Sequence, residues 1–218
     1  MSEKRPLKIL KNEFFKIFSN MKEIKIDVCI PSLIEDKKTY SVKTSAYLKL
    51  IGIPVNNILI SSKKGRARAR TDLMRMVSTE WFLFLDDDIV LNNKWWKKIS
   101  KHMNNDRVGA VCGFGLPDSL VLIILRHLLL LRGFKYQRGF TSNTLIRKKA
   151  IEGITLKRED RFEDLELQEK IRANGYEWKF CLAYCRHTKK SGKVFVEALR
   201  DFIKIKKEKG IIKAIMSI

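Results

Sequence analysis

Trp81-Phe82-Leu83-Phe84-Leu85-Asp86-Asp87-Asp88-Ile89-Val90 is the stretch from which the rest of the chain is read. Five apolar residues, three of them aromatic, run without polar alternation into three consecutive carboxylates. A short unbroken apolar run suits a strand buried on both faces of a parallel sheet. The acids cannot share that core, because an isolated buried carboxylate is costly unless paired or metal-bound. In open α/β sheets ligands bind outside the carboxyl ends of the strands, so the acids are expected at that edge, facing something cationic. Crowded carboxylates repel one another, and a divalent cation relieves the repulsion. An all-oxygen site points to magnesium or manganese shared with substrate phosphates. A solvated acidic turn is the plainer reading of the same residues.

Upstream, Asn57–Ser61 reads as a strand centred on Ile58, Leu59 and Ile60. Gly65 then opens a helix, Arg66 to Val77, whose first turns carry Arg66, Arg68 and Arg70. Cations are disfavoured at a helix N-terminus, so these arginines are expected to face a phosphate or carboxylate; a solvated basic face is the alternative. Further back, Ile24–Pro31 forms a first strand ended by Pro31-Ser32, and Thr39–Ile51 a helix stopped by Gly52 and Pro54. Strand, helix, strand, helix, strand implies a parallel sheet. Downstream, Asn93–Met103 is a helix with His102 at its surface. Trp178–Ala183 is a strand, and His187 lies beyond it in a loop, either as a ligand or as a solvated side chain.

The 218 residues suffice for one substantial domain built from two halves. Lys and Arg number 45 against 24 Asp and Glu, a formal charge of +21. That excess calls for an anionic partner: nucleic acid, an anionic membrane surface or a phosphorylated substrate. Cys29, Cys112, Cys181 and Cys185 lack zinc-site spacing and read as reduced thiols of a cytoplasmic protein. The first residues lack the apolar core and cleavage site of a signal peptide. Leu7, Leu10, Phe14, Phe18 and Met21 recur at helical spacing among lysines, a basic amphipathic helix over Pro6–Met21. Phe195, Leu199, Phe202 and Ile205 repeat the pattern in the tail Lys193–Ile218. Ser119–Leu131 is almost wholly apolar; as a helix it would reach about 20 Å, short of the roughly 30 Å of a bilayer. It is read as a buried helix or one dipping into an interface. Together these elements suit a peripheral place on the inner face of the cell membrane, although each helix serves equally well for packing.

Four stretches, taken in order, resemble the family 2 glycosyltransferases of GT-A fold. Gly65-Arg66-Ala67-Arg68-Ala69-Arg70 followed by Phe82–Asp88 is similar to that family's helix start and Asp-x-Asp strand. Val108–Gly113 is similar to its next strand, Gly139–Arg147 to its acceptor-side strand, and Phe162–Leu167 with Gly175-Tyr176 to its Glu-Asp motif and helix. The resemblance covers residues 24 to 190. It implies an α/β domain over 23–190 with a mostly parallel central sheet, a nucleotide-binding half to about residue 113 and an acceptor half after it, flanked by basic helices at 1–22 and 191–218. It implies an enzyme moving a sugar, with inversion, from a nucleotide-sugar to a hydroxyl or phosphate acceptor that is a sugar or lipid-linked, with Mn2+ or Mg2+ as cofactor. Asp88, Asp86 and His187 would hold the metal. Asp86, Asp87, Arg66, Arg70 and Pro31 would line the nucleotide-sugar, with Arg68 an alternative to Arg66. Asp164 would be the general base, with Glu163 and Asn143 on the acceptor side. The family's base-binding Asp-Asp-Gly-Ser turn is missing; Glu35 or Asp36 stands nearest to that role.

Other classes explain parts of the sequence. A nucleic-acid- or membrane-binding protein without transferase activity accounts for the charge, but no zinc finger or aromatic RNA-binding motif accompanies it, and nucleic acid is disfavoured as a partner. A nucleotidyltransferase would carry a glycine-rich basic loop after the first strand, where Ile30-Pro31-Ser32-Leu33-Ile34 stands instead.

Overall fold

The computed structural model describes residues 24–116, 140–157 and 162–188. The expected helix at Pro6–Met21, the apolar segment Ser119–Leu131 and the tail Lys193–Ile218 lie outside the described residues. The elements are β1 (Ile26–Pro31), α1 (Lys37–Leu50), β2 (Val55–Ser61), α2 (Arg66–Met76), β3 (Trp81–Leu85), β4 (Ile89–Leu91), α3 (Trp95–Ile99), β5 (Val108–Leu116), β6 (Asn143–Arg147), α4 (Glu163–Ala173) and β7 (Glu177–His187). Short 3-10 turns follow α3 and β6. Among the described residues no helix is long and apolar enough to cross a membrane.

One seven-stranded sheet runs in the order β2-β1-β3-β6-β5-β7-β4. β1 pairs in parallel with β2 and with β3, as the alternation of strands and helices implies. Beyond β3 the sheet is mixed. β6 lies antiparallel between β3 and β5, β7 runs parallel to β5, and β4 closes the edge antiparallel to β7. Pairing with β4 lengthens β7 past the predicted Ala183, so His187 ends a strand, opposite Ile89, instead of lying in a loop. The helix predicted over 93–103 is α3 plus one 3-10 turn.

All five residues of β3 are buried, as the unbroken apolar run requires. Leu83 and Leu85 face one core with Ile26, Val28, Ile30, Val111, Leu145 and Trp95. Phe82 and Phe84 face the other, with Ala110, Ile146, Leu73 of α2 and Leu167 and Ile171 of α4. Their rings meet edge to face at 5.2 Å. Each such side chain contributes about 2–3 kcal/mol by leaving water. α1 is capped by Asp36, whose carboxylate accepts from the Thr39 amide. It turns Leu48, Tyr40 and Tyr47 inward. α2 begins at Gly65, whose φ of 95° suits glycine. It buries Ala67, Leu73 and Met74 and leaves Arg66 and Arg68 exposed.

Asp27 has a structural role that no local pattern marks. Its carboxylate is fully buried near the start of β1. It accepts from the Asn56 and Asn57 side chains, the Ser78 amide and hydroxyl, and the Thr79 amide, at 2.7–3.2 Å. Burial raises its pKa, but these donors outweigh burial and hold it below the usual carboxylate value.

A second close fit lies under the site. A Cβ on Gly113 of β5 would fall 2.8 Å from the Ala183 carbonyl oxygen, with Trp95 Nε1 nearer still. Gly113→Ala is therefore expected to destabilise the protein by about 2 kcal/mol, the scale of an overpacked core. A urea melt at unchanged m-value checks this.

Candidate active site

The site is built where the chain leaves β1 and β3. The Ser32 amide donates to the Ser61 carbonyl at 3.0 Å, which keeps the ends of β1 and β2 together. Asp72 of α2 accepts from Ser61 and from Lys63, tying the β2–α2 turn to the same edge. At the end of β3 the Asp86 amide donates to the Ser142 carbonyl at 3.0 Å. The three acids that follow have three different environments.

Asp87 is bound from β1: the Ser32 hydroxyl donates to its Oδ2 at 2.6 Å. Tyr40 of α1 stands beside it, its phenol pushed up first by burial and further by the charges of Asp87 and Asp88. Asp88 meets the end of β7. Its carbonyl accepts from the Thr188 amide at 2.7 Å and from the Thr188 hydroxyl at 3.2 Å, and its Oδ1 lies 3.5 Å from His187 Nδ1. Tyr47 fixes the backbone beyond, its hydroxyl donating to the Leu91 carbonyl and accepting from the Leu91 amide. Asp86 faces inward. Its Oδ1 accepts from Arg70 Nη2 at 3.0 Å, and Arg70 Nη1 donates to Glu163 Oε1 at 2.5 Å.

Glu163 and Asp164 open α4, where the helix dipole favours acids. Both are buried. Burial raises the Glu163 carboxyl pKa, partly opposed by the Arg70 charge; its Oε2 has no hydrogen-bond partner. Asp164 Oδ1 accepts from the Leu165 amide at 2.8 Å.

The structure therefore brings together Asp86, Asp87, Asp88, Arg70, Glu163 and His187 at one end of the sheet, with Asp164 next to Glu163 in α4. Pro31 ends β1 beside Ser61. The surroundings of the expected site residues differ. Among the described residues no three His, Cys, Asp or Glu side chains converge on one point. Asp88 and His187 meet, while Asp86 is ion-paired with Arg70. Asn143 does not share a sheet face with α4: it is 1% exposed and packs against Gly113 and Trp95, on the same face of β6 as Leu145, toward the opposite core. Asp36, considered for base binding, is the N-cap of α1, and Glu35 is exposed.

Sequence reading did not assign roles to Ser32, Tyr40 or Thr188. Only Ser32 carried a signal, as the polar residue directly after a buried strand. The four cysteines are free thiols. Cys185, below the acids, is pushed up to about 12 chiefly by burial, which leaves it an inert core thiol.

Residues 44–154, just over half of the chain, match glycosyl transferase family 2. The chain belongs to that family and is a glycosyltransferase. No curated protein matches its sequence. Among solved structures it is similar to the glucosyl-3-phosphoglycerate synthase of Mycobacterium tuberculosis, in complex with Mg2+ and uridine diphosphate. Identity is 11% and the TM-score 0.55, over 89% of this chain and 79% of that one. It is also similar to a mannosyltransferase from Pyrobaculum calidifontis in complex with GDP-mannose and Mn2+, at 13% identity and a TM-score of 0.57, over 95% and 76%. At such identities the likeness establishes the fold, the GT-A arrangement expected from the motifs.

Proposed function

We propose that the protein transfers a sugar from a nucleotide-sugar to an acceptor hydroxyl or phosphate, with inversion, at a site holding a divalent cation. The observation that carries this reading is the meeting of Asp88 and His187, from distant parts of the chain, at the carboxyl edge of the sheet. A carboxylate oxygen and an imidazole nitrogen form a donor set that suits Mn2+. Two protein donors leave room for substrate phosphate oxygens around such an ion. Manganese and magnesium in the complexes of the two similar structures support the choice. A cation bound there would supply Lewis-acid neutralisation of the diphosphate charge.

The chain's own groups do the rest. Ser32, through Asp87, and Tyr47, through Leu91, hold the acidic turn rigid. The exposed Arg66 stands at the start of α2, where it would reach the diphosphate or the base, with Arg68 as the alternative, and Pro31 borders the nucleotide. Asp164 removes the acceptor's proton as the acceptor oxygen bonds to the anomeric carbon. The bond from that carbon to the nucleoside diphosphate breaks with its electron pair on the phosphate oxygen. No protein nucleophile intervenes, so one displacement inverts the configuration. Glu163 borders the acceptor. The charge of +21 favours a phosphorylated or lipid-linked acceptor at an anionic membrane surface.

The test is thermal stabilisation by UDP, GDP and their sugars, each with and without Mn2+. One nucleotide family should stabilise the protein by about 3 kcal/mol at a hundredfold excess over Kd, and only with metal. Asp88→Ala should abolish the shift. Stabilisation by RNA or anionic vesicles, with no response to any nucleotide, overturns the proposal in favour of a binding protein.

A further inference from the structure

Arg70 occupies a place that the other arginines of α2 do not. Its side chain is 4% exposed, as is that of Glu163. Both terminal nitrogens are committed to carboxylates 16 and 93 residues away in sequence. A planar guanidinium can bridge two acids with fixed geometry, which a lysine ammonium cannot reproduce. The same two nitrogens are the pair that would grip a phosphate, so phosphate binding would require breaking an internal ion pair.

The two ends of the bridge are held unequally. Asp86 is also fixed through its amide to Ser142. Glu163 Oε1 is held by Arg70, and its Oε2 has no partner. Phe162, at the N-cap of α4, supplies no side-chain cap. Loss of Arg70 therefore falls mainly on the start of α4, the turn that carries Asp164.

We infer that Arg70 is a positioning residue: it holds the first turn of α4, and with it Asp164, in register with the acids at the end of β3, and it is not a ligand of the nucleotide. This rests on the glycosyl-transfer reading for its consequence in catalysis, but not for its structural content.

The experiment compares the wild type with R70K, R70M and R70M/E163Q in the full chain. R70M leaves Glu163 buried and unpaired, and a large loss of stability is expected from that alone. R70M/E163Q removes the stranded charge and keeps the shapes, so folding should recover. Three readouts follow. Amide exchange at Glu166, whose N–H bonds the Phe162 carbonyl, should quicken at least tenfold in R70K and R70M/E163Q, with β3 unchanged. Stabilisation by UDP or GDP with Mn2+ should persist, with apparent affinity within about threefold. Release of nucleoside diphosphate from UDP-glucose or GDP-mannose should show kcat at least tenfold lower and donor KM nearly unchanged.

Unchanged exchange in α4, or native turnover in R70M/E163Q, overturns the inference, because removing the charges together would then have restored everything. A tenfold loss of nucleotide affinity in R70K overturns it in favour of a phosphate ligand. If the wild type shows no metal-dependent nucleotide response, the glycosyl-transfer reading falls, while exchange in α4 still decides the role of Arg70.

Discussion

Asp164→Asn is expected to slow glycosyl transfer by about 10³-fold, within the 10²–10⁴ range of a general base, while leaving metal-dependent nucleotide binding intact. The substitution keeps the shape of the side chain, and an amide oxygen can still accept from the Leu165 amide as Oδ1 does now. What it removes is the capacity to take a proton. The measurement is steady-state release of nucleoside diphosphate beside nucleotide-induced thermal stabilisation. A fall in both would mean that α4 had moved. A fall in neither would place the base elsewhere, and Glu163→Gln would be the next variant, since the two acids are neighbours in the same buried turn.

A large stability effect is also expected at the other end of the sheet, from Asp27→Asn. Five donors from four residues converge on this carboxylate, and an amide cannot satisfy donors on both of its heavy atoms. Buried donors left unmatched cost about 1–3 kcal/mol each, and we expect a total loss of about 3 kcal/mol after local relaxation. For a chain of this size that is a fall in Tm of about 10 °C. The pH dependence has a definite sign. The folded-state pKa of Asp27 lies below its unfolded value, so its contribution is complete above the unfolded value of about 3.9 and is lost as pH falls through the folded one. The variant should lose that part of the acid dependence, which denaturant melts between pH 6 and pH 3 would reveal.

Much of this could be read from residue order, and the rest failed for identifiable reasons. Trp81–Leu85 announced a strand buried on both faces because no polar residue interrupts it, and the acids behind it were confined to the strand's carboxyl end. Which strand would lie beside it was not legible. Apolar pattern specifies burial, not neighbour, and β6 comes from 58 residues further along the chain. His187 reads as a loop residue because the apolar pattern of β7 fades before its hydrogen bonding does; pairing with β4 extends it. Arg66 and Arg70 lie one turn apart and looked equivalent, yet only Arg70 is turned into the protein. Asp27 was invisible because its partners are brought together only by the fold: Asn56 and Asn57 in β2, and Ser78 and Thr79 after α2.

The insertion of β6 between β3 and β5 also sets a clock during synthesis. β1, β2 and β3 can pair as soon as Leu85 has emerged. The outer edge of β3, a row of unpaired amides and carbonyls on a wholly apolar strand, must then wait for residues 143–147. At ribosomal speeds of roughly 5–20 residues per second that interval is several seconds. For that time the nascent chain carries an open, aggregation-prone edge. The carboxylates of Asp86, Asp87 and Asp88, immediately beyond it, then act as gatekeepers by mutual repulsion between chains, before any substrate gives them another use.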